Sequence, residues 1–509
     1  MLRPRELTPP LQNAGADRSG ARSLARAAWA AFVLTLPVYL ATMNRTIGFI
    51  DRGELAATAY TLGIPHPTGY PTFTALGWLV SHLVPLRPVL VLNAFAAILV
   101  AASSAGLVFL FGDLLQRVSK DEAQTPGRAR LALLCALFTA FSIRWWQQAN
   151  GFEVYALHLA LLPIVLLSFL RWVDAASAAT ESGMSSLSWS PRASGFAFAL
   201  LLGLSFTNHM TTGLLAPGLL FYAWDRLGGV RSFGRAVLPL AIPFLIGLSP
   251  YGLLPILSAS GPRFDWGGTH TLHGFLAHLT AREFQGWVSF APDTLGVQTR
   301  YLLWCLGRDL VWVGLVPAGF GIVLLGRRQR SLAIAIGLII VTSAFFAASY
   351  RIRELDPYLI GCVLGLALFA AAGLLAIQER FGPRVALVAG LGLIALGGAL
   401  HLHDCNESQN RLVEDLTANQ LGSLPPRAVL FTKQWDYFLS ASWYFQEVEG
   451  LRRDVVVVSP DLLRHGWYVD ELARRAPDLM AIARREAGAY REALRPFEEH
   501  RPYEPATIR

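Results

Sequence analysis

Residues 89–115 read VLVLNAFAAILVAASSAGLVFLFGDLL, an apolar run with one charge, Asp113. A helix of about 20 such residues crosses the hydrocarbon core of a bilayer, so the run predicts a membrane span. Comparable runs lie on both sides of it, at 24–43, 131–148, 154–172, 194–208, 210–224, 236–257, 301–325, 332–349, 358–377 and 385–402. The whole chain has 509 residues, 53% hydrophobic and 15% charged, against about a quarter charged in soluble domains. That composition excludes both a soluble enzyme and a disordered chain. It predicts an all-α polytopic membrane protein, a bundle of about 11 transmembrane helices. The runs at 194–208 and 210–224 are short and meet at Thr207-Asn208-His209, as a tight hairpin or one broken helix. Residues 72–86 are apolar but interrupted by Gly77, His82 and Pro85, which predicts an interfacial or re-entrant helix.

Charge sets the orientation. Basic residues collect between alternate runs, at Arg3, Arg5, Arg18, Arg22 and Arg26, then Arg117, Lys120, Arg128 and Arg130, then Arg226, Arg231 and Arg235, and again around Arg327 and Arg380. By the positive-inside rule the N-terminus is cytoplasmic, and an odd number of spans puts the C-terminus outside. The formal charge of +8 is spread over these loops and forms no single patch, so nucleic acid is not an expected partner. Lys120 and Lys433 are the only lysines; with abundant Ala, Gly, Leu and Arg this points to a GC-rich bacterial genome. The expected location is therefore a bacterial inner membrane. The first apolar run, lacking a small-residue cleavage site before it, reads as an uncleaved helix. Cys135, Cys305, Cys362 and Cys405 imply neither a disulfide framework nor a zinc site.

This gives a cytoplasmic tail (1–23), a membrane domain (24–402) with outer loops at about 44–88 and 258–300, and an extracytoplasmic C-terminal domain (403–509). The last is polar, with apolar runs too short to span. Ala428–Thr432 and Asp454–Ser459 read as buried strands, and 436–448, 461–474 and 480–498 as helices, a small α/β unit.

The chemistry-bearing residues fall on the outer side. Asp51 and Glu54 follow the first span three apart, on one face if helical. A carboxylate pair at a membrane boundary suits acid/base work. The following His66-Pro67-Thr68-Gly69-Tyr70-Pro71 reads as a rigid turn, its prolines fixing φ and its glycine free to take positive φ. Arg144-Trp145-Trp146 is an interfacial anchor pattern, but Glu153 beside Tyr155, at the start of a span, is costly unless paired or functional. Asn208 and His209 lie at similar depth. Asp265 and Trp266 sit in a Gly-rich turn that lacks a P-loop ending, and Arg351, Arg353 and Asp356 mark another outer boundary, where two arginines could anchor or clamp a phosphate. Carboxylates and arginines on one side suit chemistry on a lipid-linked phosphate. Asp51 and Glu54 could hold a divalent cation, but carboxylates alone establish no metal and no cofactor.

Asp51-x-Gly-Glu54, with Leu62-Gly-x-x-His66-Pro-x-Gly-Tyr-Pro71, resembles the signature of the GT-C-type polytopic protein O-mannosyltransferase family, which has a vertebrate endoplasmic-reticulum member. The resemblance continues through Trp146-x-x-Ala-x-x-Phe-Glu153-Val-Tyr155, Leu202-Gly-Leu-Ser-Phe-Thr-Asn208-His209, Phe264-Asp-Trp266-Gly, Asp356-Pro-Tyr358 and Gln446-x-Val-Glu-Gly-Leu-Arg-Arg-Asp454-Val, covering about 45–460 in family order. It implies a GT-C bundle with a catalytic carboxylate in the first outer loop, a polyprenyl-phosphate-linked sugar as donor, and an exported protein or glycan as acceptor. Asp51 is then the general base, Glu54 its partner or an acceptor-orienting group, and His66 a residue that shapes or polarises the site. Arg351 or Arg353 is our own candidate phosphate clamp. Where the family has a small residue, this chain has Arg52, which could favour the Asp51 anion or touch the donor phosphate. Two other classes remain at this stage: a lipid-linked sugar transporter, disfavoured by the lack of an internal repeat, and a non-catalytic scaffold, which predicts that Asp51 is dispensable.

Overall fold

The computed structural model describes residues 11–120, 125–182, 190–352, 354–498 and 501–502. Among them seven helices are long and apolar enough to cross a membrane: Ser19–Thr42, Pro88–Val118, Val154–Ala179, Val230–Ala259, Arg330–Ser349, Asp356–Phe381 and Pro383–Cys405. Each answers one of the predicted runs. Burial ranks them by position: 78% of the apolar window of Asp356–Phe381 is buried, against 22% for Val230–Ala259, so the first is central and the second peripheral. The peripheral helices turn Leu245, Ile256, Val388 and Leu400 outward, as lipid-facing surfaces require.

The other four runs are shorter or interrupted, each for a local reason. The run at 301–325 divides into Pro292–Asp309 and Leu315–Arg328, with Val311 and Trp312 at positive φ between them. The break falls where Asp309, fully buried, accepts the Arg144 backbone N–H at 3.0 Å and pairs with its guanidinium at 3.2 Å. The run at 131–148 divides into Thr125–Ala140 and Ile143–Gln147 and delivers Arg144 to that pair. The runs meeting at Asn208 become Pro191–Phe206, a 3-10 segment Met210–Leu215 and Ala216–Leu227. In that break Asn208 Nδ2 donates to the Val154 carbonyl at 3.1 Å, so the turn is fastened to the start of the neighbouring span.

Lipid tails are as apolar as leucine, so span-to-span packing relies on close approach. Leu315–Arg328 and Ile360–Phe381 show it: a methyl on Gly321 would lie 1.7 Å from the Phe369 carbonyl oxygen, and one on Gly373 1.7 Å from that of Pro317.

The C-terminal domain holds the two expected strands, Val429–Phe431 and Val456–Val458, paired in parallel with Val429 opposite Val456. Two strands alone are marginal in water. Here the helices Leu412–Ser423, Ser440–Glu447 and Gly466–Arg475 flank them. Phe438, Trp443, Tyr444 and Val457 then share one apolar core with Leu55, Phe73 and Phe152 of the membrane domain. Arg87 reinforces the joint, pairing with Glu414 and Glu449 at 2.7 Å each.

Candidate active site

The loop after the first span folds as a helix, Arg52–Thr61, with Asp51 at its N-cap position, then the turn through His66, then the helix Pro71–Leu83. The expected tight turn is present: Gly69 has φ 85° and Tyr70 φ 41°. It swings His66 back under the first helix. Glu54, fully buried, receives the His66 backbone N–H at 2.7 Å on one oxygen and His66 Nδ1 at 2.6 Å on the other. His66 Nε2 lies 2.9 Å from the Tyr70 hydroxyl, which itself donates to the Pro67 carbonyl at 2.8 Å. Both ring nitrogens therefore face acceptors, as an imidazolium requires. Asp51 is the exposed member of the group. Its side chain is 32% accessible, it lines a large cavity at this end of the bundle, and Oδ2 stands 3.8 Å from His66 Nε2.

Burial opposes a charged imidazole here, but the charges of Glu54 and Asp51 and the Glu54 hydrogen bond outweigh it and push the His66 pKa up from 6.5 to about 10. A raised pKa stabilises the fold fully below the unfolded value and loses that contribution as pH rises through the folded one. Thermal stability of the purified protein in detergent is thus expected to decline between pH 6.5 and about 10. Glu54→Gln should flatten that slope by removing the strongest charge holding the cation. Equal slopes for wild type and variant, by differential scanning fluorimetry, would show that His66 is not held as a cation.

The remaining expected site residues divide in two. Tyr70, Glu153, Tyr155, His209, Asp265, Trp266, Arg351 and Asp356 line the same cavity as Asp51 and His66. Tyr70 stacks on His209 at 5.7 Å, and Tyr155 packs against His209 at 4.7 Å. Burial and the Asp51 charge push Glu153 well above the carboxylate range. Trp266 donates to Glu283 at 3.0 Å, and Asp265, its charge disfavoured by burial, lies 3.6 Å from Arg474. Asp356 accepts from Tyr301 at 2.9 Å and Arg144 at 3.2 Å. Arg351 is exposed to the cavity, and no ion pair engages it among the described residues.

Two expectations change. Glu54 is sealed behind His66 and does not face the cavity, so it cannot orient an acceptor; it is the partner of His66. Asn208 is fully buried and bonded to Val154, a structural role. Arg52 also lines the cavity, and two acidic groups there pair with it, Glu407 at 2.7 Å, just past the last span, and Glu153 at 4.0 Å, so that it ties these loops together. Arg353 lies outside the described residues.

Sequence reasoning missed Trp435, whose indole N–H donates to Asp51 Oδ1 at 2.6 Å, and Glu354, which burial and the Asp51 charge push up to about 7. Neither spacing nor hydropathy signals the first. Glu354 lies between Arg353 and Asp356, where a further charge among boundary residues was the available hint. Asp51, Glu54 and His66 offer ligand atoms within 4.8 Å of one another, a spacing that also suits a divalent cation. The hydrogen bonds that Glu54 and His66 make to each other already satisfy those atoms.

A polytopic helical bundle whose first long loop carries a partly accessible carboxylate into a cavity roofed by a tail domain has the architecture of GT-C membrane glycosyltransferases. The chain shares that fold with ArnT from Cupriavidus metallidurans, solved bound to undecaprenyl phosphate (TM-score 0.57, 13% identity, 86% of this chain and 90% of that one). Within the class, residues 51–226 match the model of the protein O-mannosyl-transferase TMEM260 N-terminal domain and 413–493 that of TMEM260-associated domain 2; the chain is a relative of this O-mannosyltransferase family. It is 27% identical to mouse protein O-mannosyl-transferase TMEM260, over 92% of this chain and 67% of that protein. It is 26% identical to its Dictyostelium discoideum counterpart, over 50% of this chain and 30% of that one.

Proposed function

We propose that the protein transfers a hexose, mannose in the first instance, from a polyprenyl-phosphate donor to a hydroxyl of an exported protein or glycan, on the extracytoplasmic side of a bacterial inner membrane. The observation that carries this reading is the accessible Asp51 carboxylate, set in a cavity rim shared by the first loop, the loop at about 258–300 and the tail domain. Asp51 takes the proton of the acceptor hydroxyl as the oxygen attacks the anomeric carbon, and the carbon–phosphate oxygen bond breaks in the same displacement. One displacement inverts the anomeric centre. The leaving phosphate needs charge stabilisation and no proton. Arg351, exposed and without an ion pair among the described residues, is the candidate clamp for it. The His66 cation, buried behind the base, keeps a positive field beside Asp51 without occupying the acceptor's path. The aromatic lining around Tyr155, His209, Phe346 and Tyr358 suits the lipid-proximal part of the donor. Family membership supports the sugar transfer, and the ArnT ligand supports a polyprenyl carrier.

The test is a mass-spectrometric comparison of exported glycoproteins and surface glycans from wild-type and deletion strains. A hexose mass lost on deletion and restored by the wild-type gene is expected, and the modified molecule names the acceptor. Identical profiles would remove the transferase reading and favour a scaffold.

A further inference from the structure

The tail domain does more than roof the cavity. The indole of Trp435 is pinned on two sides, edge-on against Trp266 at 5.6 Å and against Trp443 at 5.5 Å, and its N–H meets Asp51 Oδ1 at 2.6 Å. The backbones are locked in register beside that bond. The Ile50 N–H donates to the Asp436 carbonyl at 2.8 Å, and the Glu54 N–H donates to Ser440 Oγ at 2.8 Å. A methyl on Gly53 would lie 2.5 Å from the Ser440 carbonyl, so only glycine lets the two helices approach this closely. Trp435 opens a wide π-type turn, Trp435–Leu439, a geometry that frequently marks functional sites. One Asp51 oxygen is thus occupied by a rigid donor from the tail, while the other faces His66 and the cavity.

We propose that Trp435 is a positioning residue of the active site: by holding Asp51 Oδ1 it fixes the carboxylate plane and presents Oδ2 to the acceptor hydroxyl. This rests on the reading of Asp51 as the base. A general base must sit within hydrogen-bond reach of the proton it takes, and small errors in such placement cost up to about 100-fold in rate.

The experiment uses the full-length protein in detergent, with undecaprenyl-phosphate mannose as donor probe and the acceptor found by the glycoprotein comparison. Trp435→Phe keeps an aromatic, though smaller, side chain and removes the N–H; Trp435→Leu, which also has no donor, is the second variant should the first fail to fold, judged by melting temperature. The expected result is a kcat lowered about 10- to 100-fold at unchanged KM. In addition, the 15N–1H resonance of the Trp435 indole, identified by its loss in the variant, should move upfield in Asp51→Asn. A variant with wild-type kcat, a loss expressed in KM, or an indole resonance indifferent to Asp51→Asn would overturn the proposal. Asp51→Asn in the same assay separates the two readings. If it is inactive while Trp435→Phe is normal, only the positioning role fails. If it is fully active, the base assignment fails and the positioning role with it.

Discussion

Asp51→Asn is expected to lower kcat for sugar transfer by about 10²- to 10⁴-fold, the usual worth of a positioned acid or base, with KM for donor and acceptor little changed. The amide is nearly isosteric and still accepts the Trp435 N–H through its carbonyl oxygen. The variant therefore keeps the local packing and loses the ability to take a proton. Glu54 is buried and committed to His66, and Glu153 and Glu354 are pushed toward the protonated form by burial. The measurement is single-turnover transfer by the purified variant, with donor binding followed separately. A variant with wild-type turnover would move the chemistry elsewhere in the cavity.

The second large effect concerns stability. Arg144→Met should destabilise the protein by about 3–5 kcal/mol, because it strands a carboxylate in the interior. Asp309 is fully buried and its pairing with Arg144, itself 3% accessible at the side chain, is the only ion pair that either Asp309 oxygen makes among the described residues. Replacing both ends, as Arg144→Met with Asp309→Leu, should recover most of the loss, since the pair's own net contribution is small once the cost of desolvating two charges is counted. Melting temperatures of the single and double variants in one detergent check this. A double variant no more stable than Arg144→Met would mean that Asp356 and Tyr301, the other partners around Arg144, carry the energy instead.

This ion pair also shows what hydropathy conceals. The spans at 89–115 and 358–377 were legible because lipid demands long apolar runs and nothing else competes. The strands at 429–431 and 456–458 were legible because valine-rich runs of that length have few alternatives in a polar domain. The break after Asp309 was not. A window average passes over one carboxylate, and the arginine that justifies its burial lies 165 residues earlier. The first-loop residues were legible as a group because the turn chemistry of His66–Pro71 is local. The roles of Arg52 and Glu54 were not, because they depend on what each side chain meets in three dimensions. Arg52 meets Glu407, 355 residues on, and Glu54 is closed off by a histidine that the turn folds back over it. Trp435 is the extreme case, an indole in a polar tail whose partner is 384 residues away.

Those separations have a consequence for biogenesis. The first-loop helix emerges early in synthesis, yet the groups that seat it, Glu407 on Arg52 and Ser440 beneath Glu54, come from the far end of the chain. A partly translated protein, even one already threaded into the bilayer, holds Asp51 on a loop that lacks these contacts. The cavity around Asp51 is therefore complete only when the tail domain has folded back against the first-loop helix, so a partly made chain lacks the finished site.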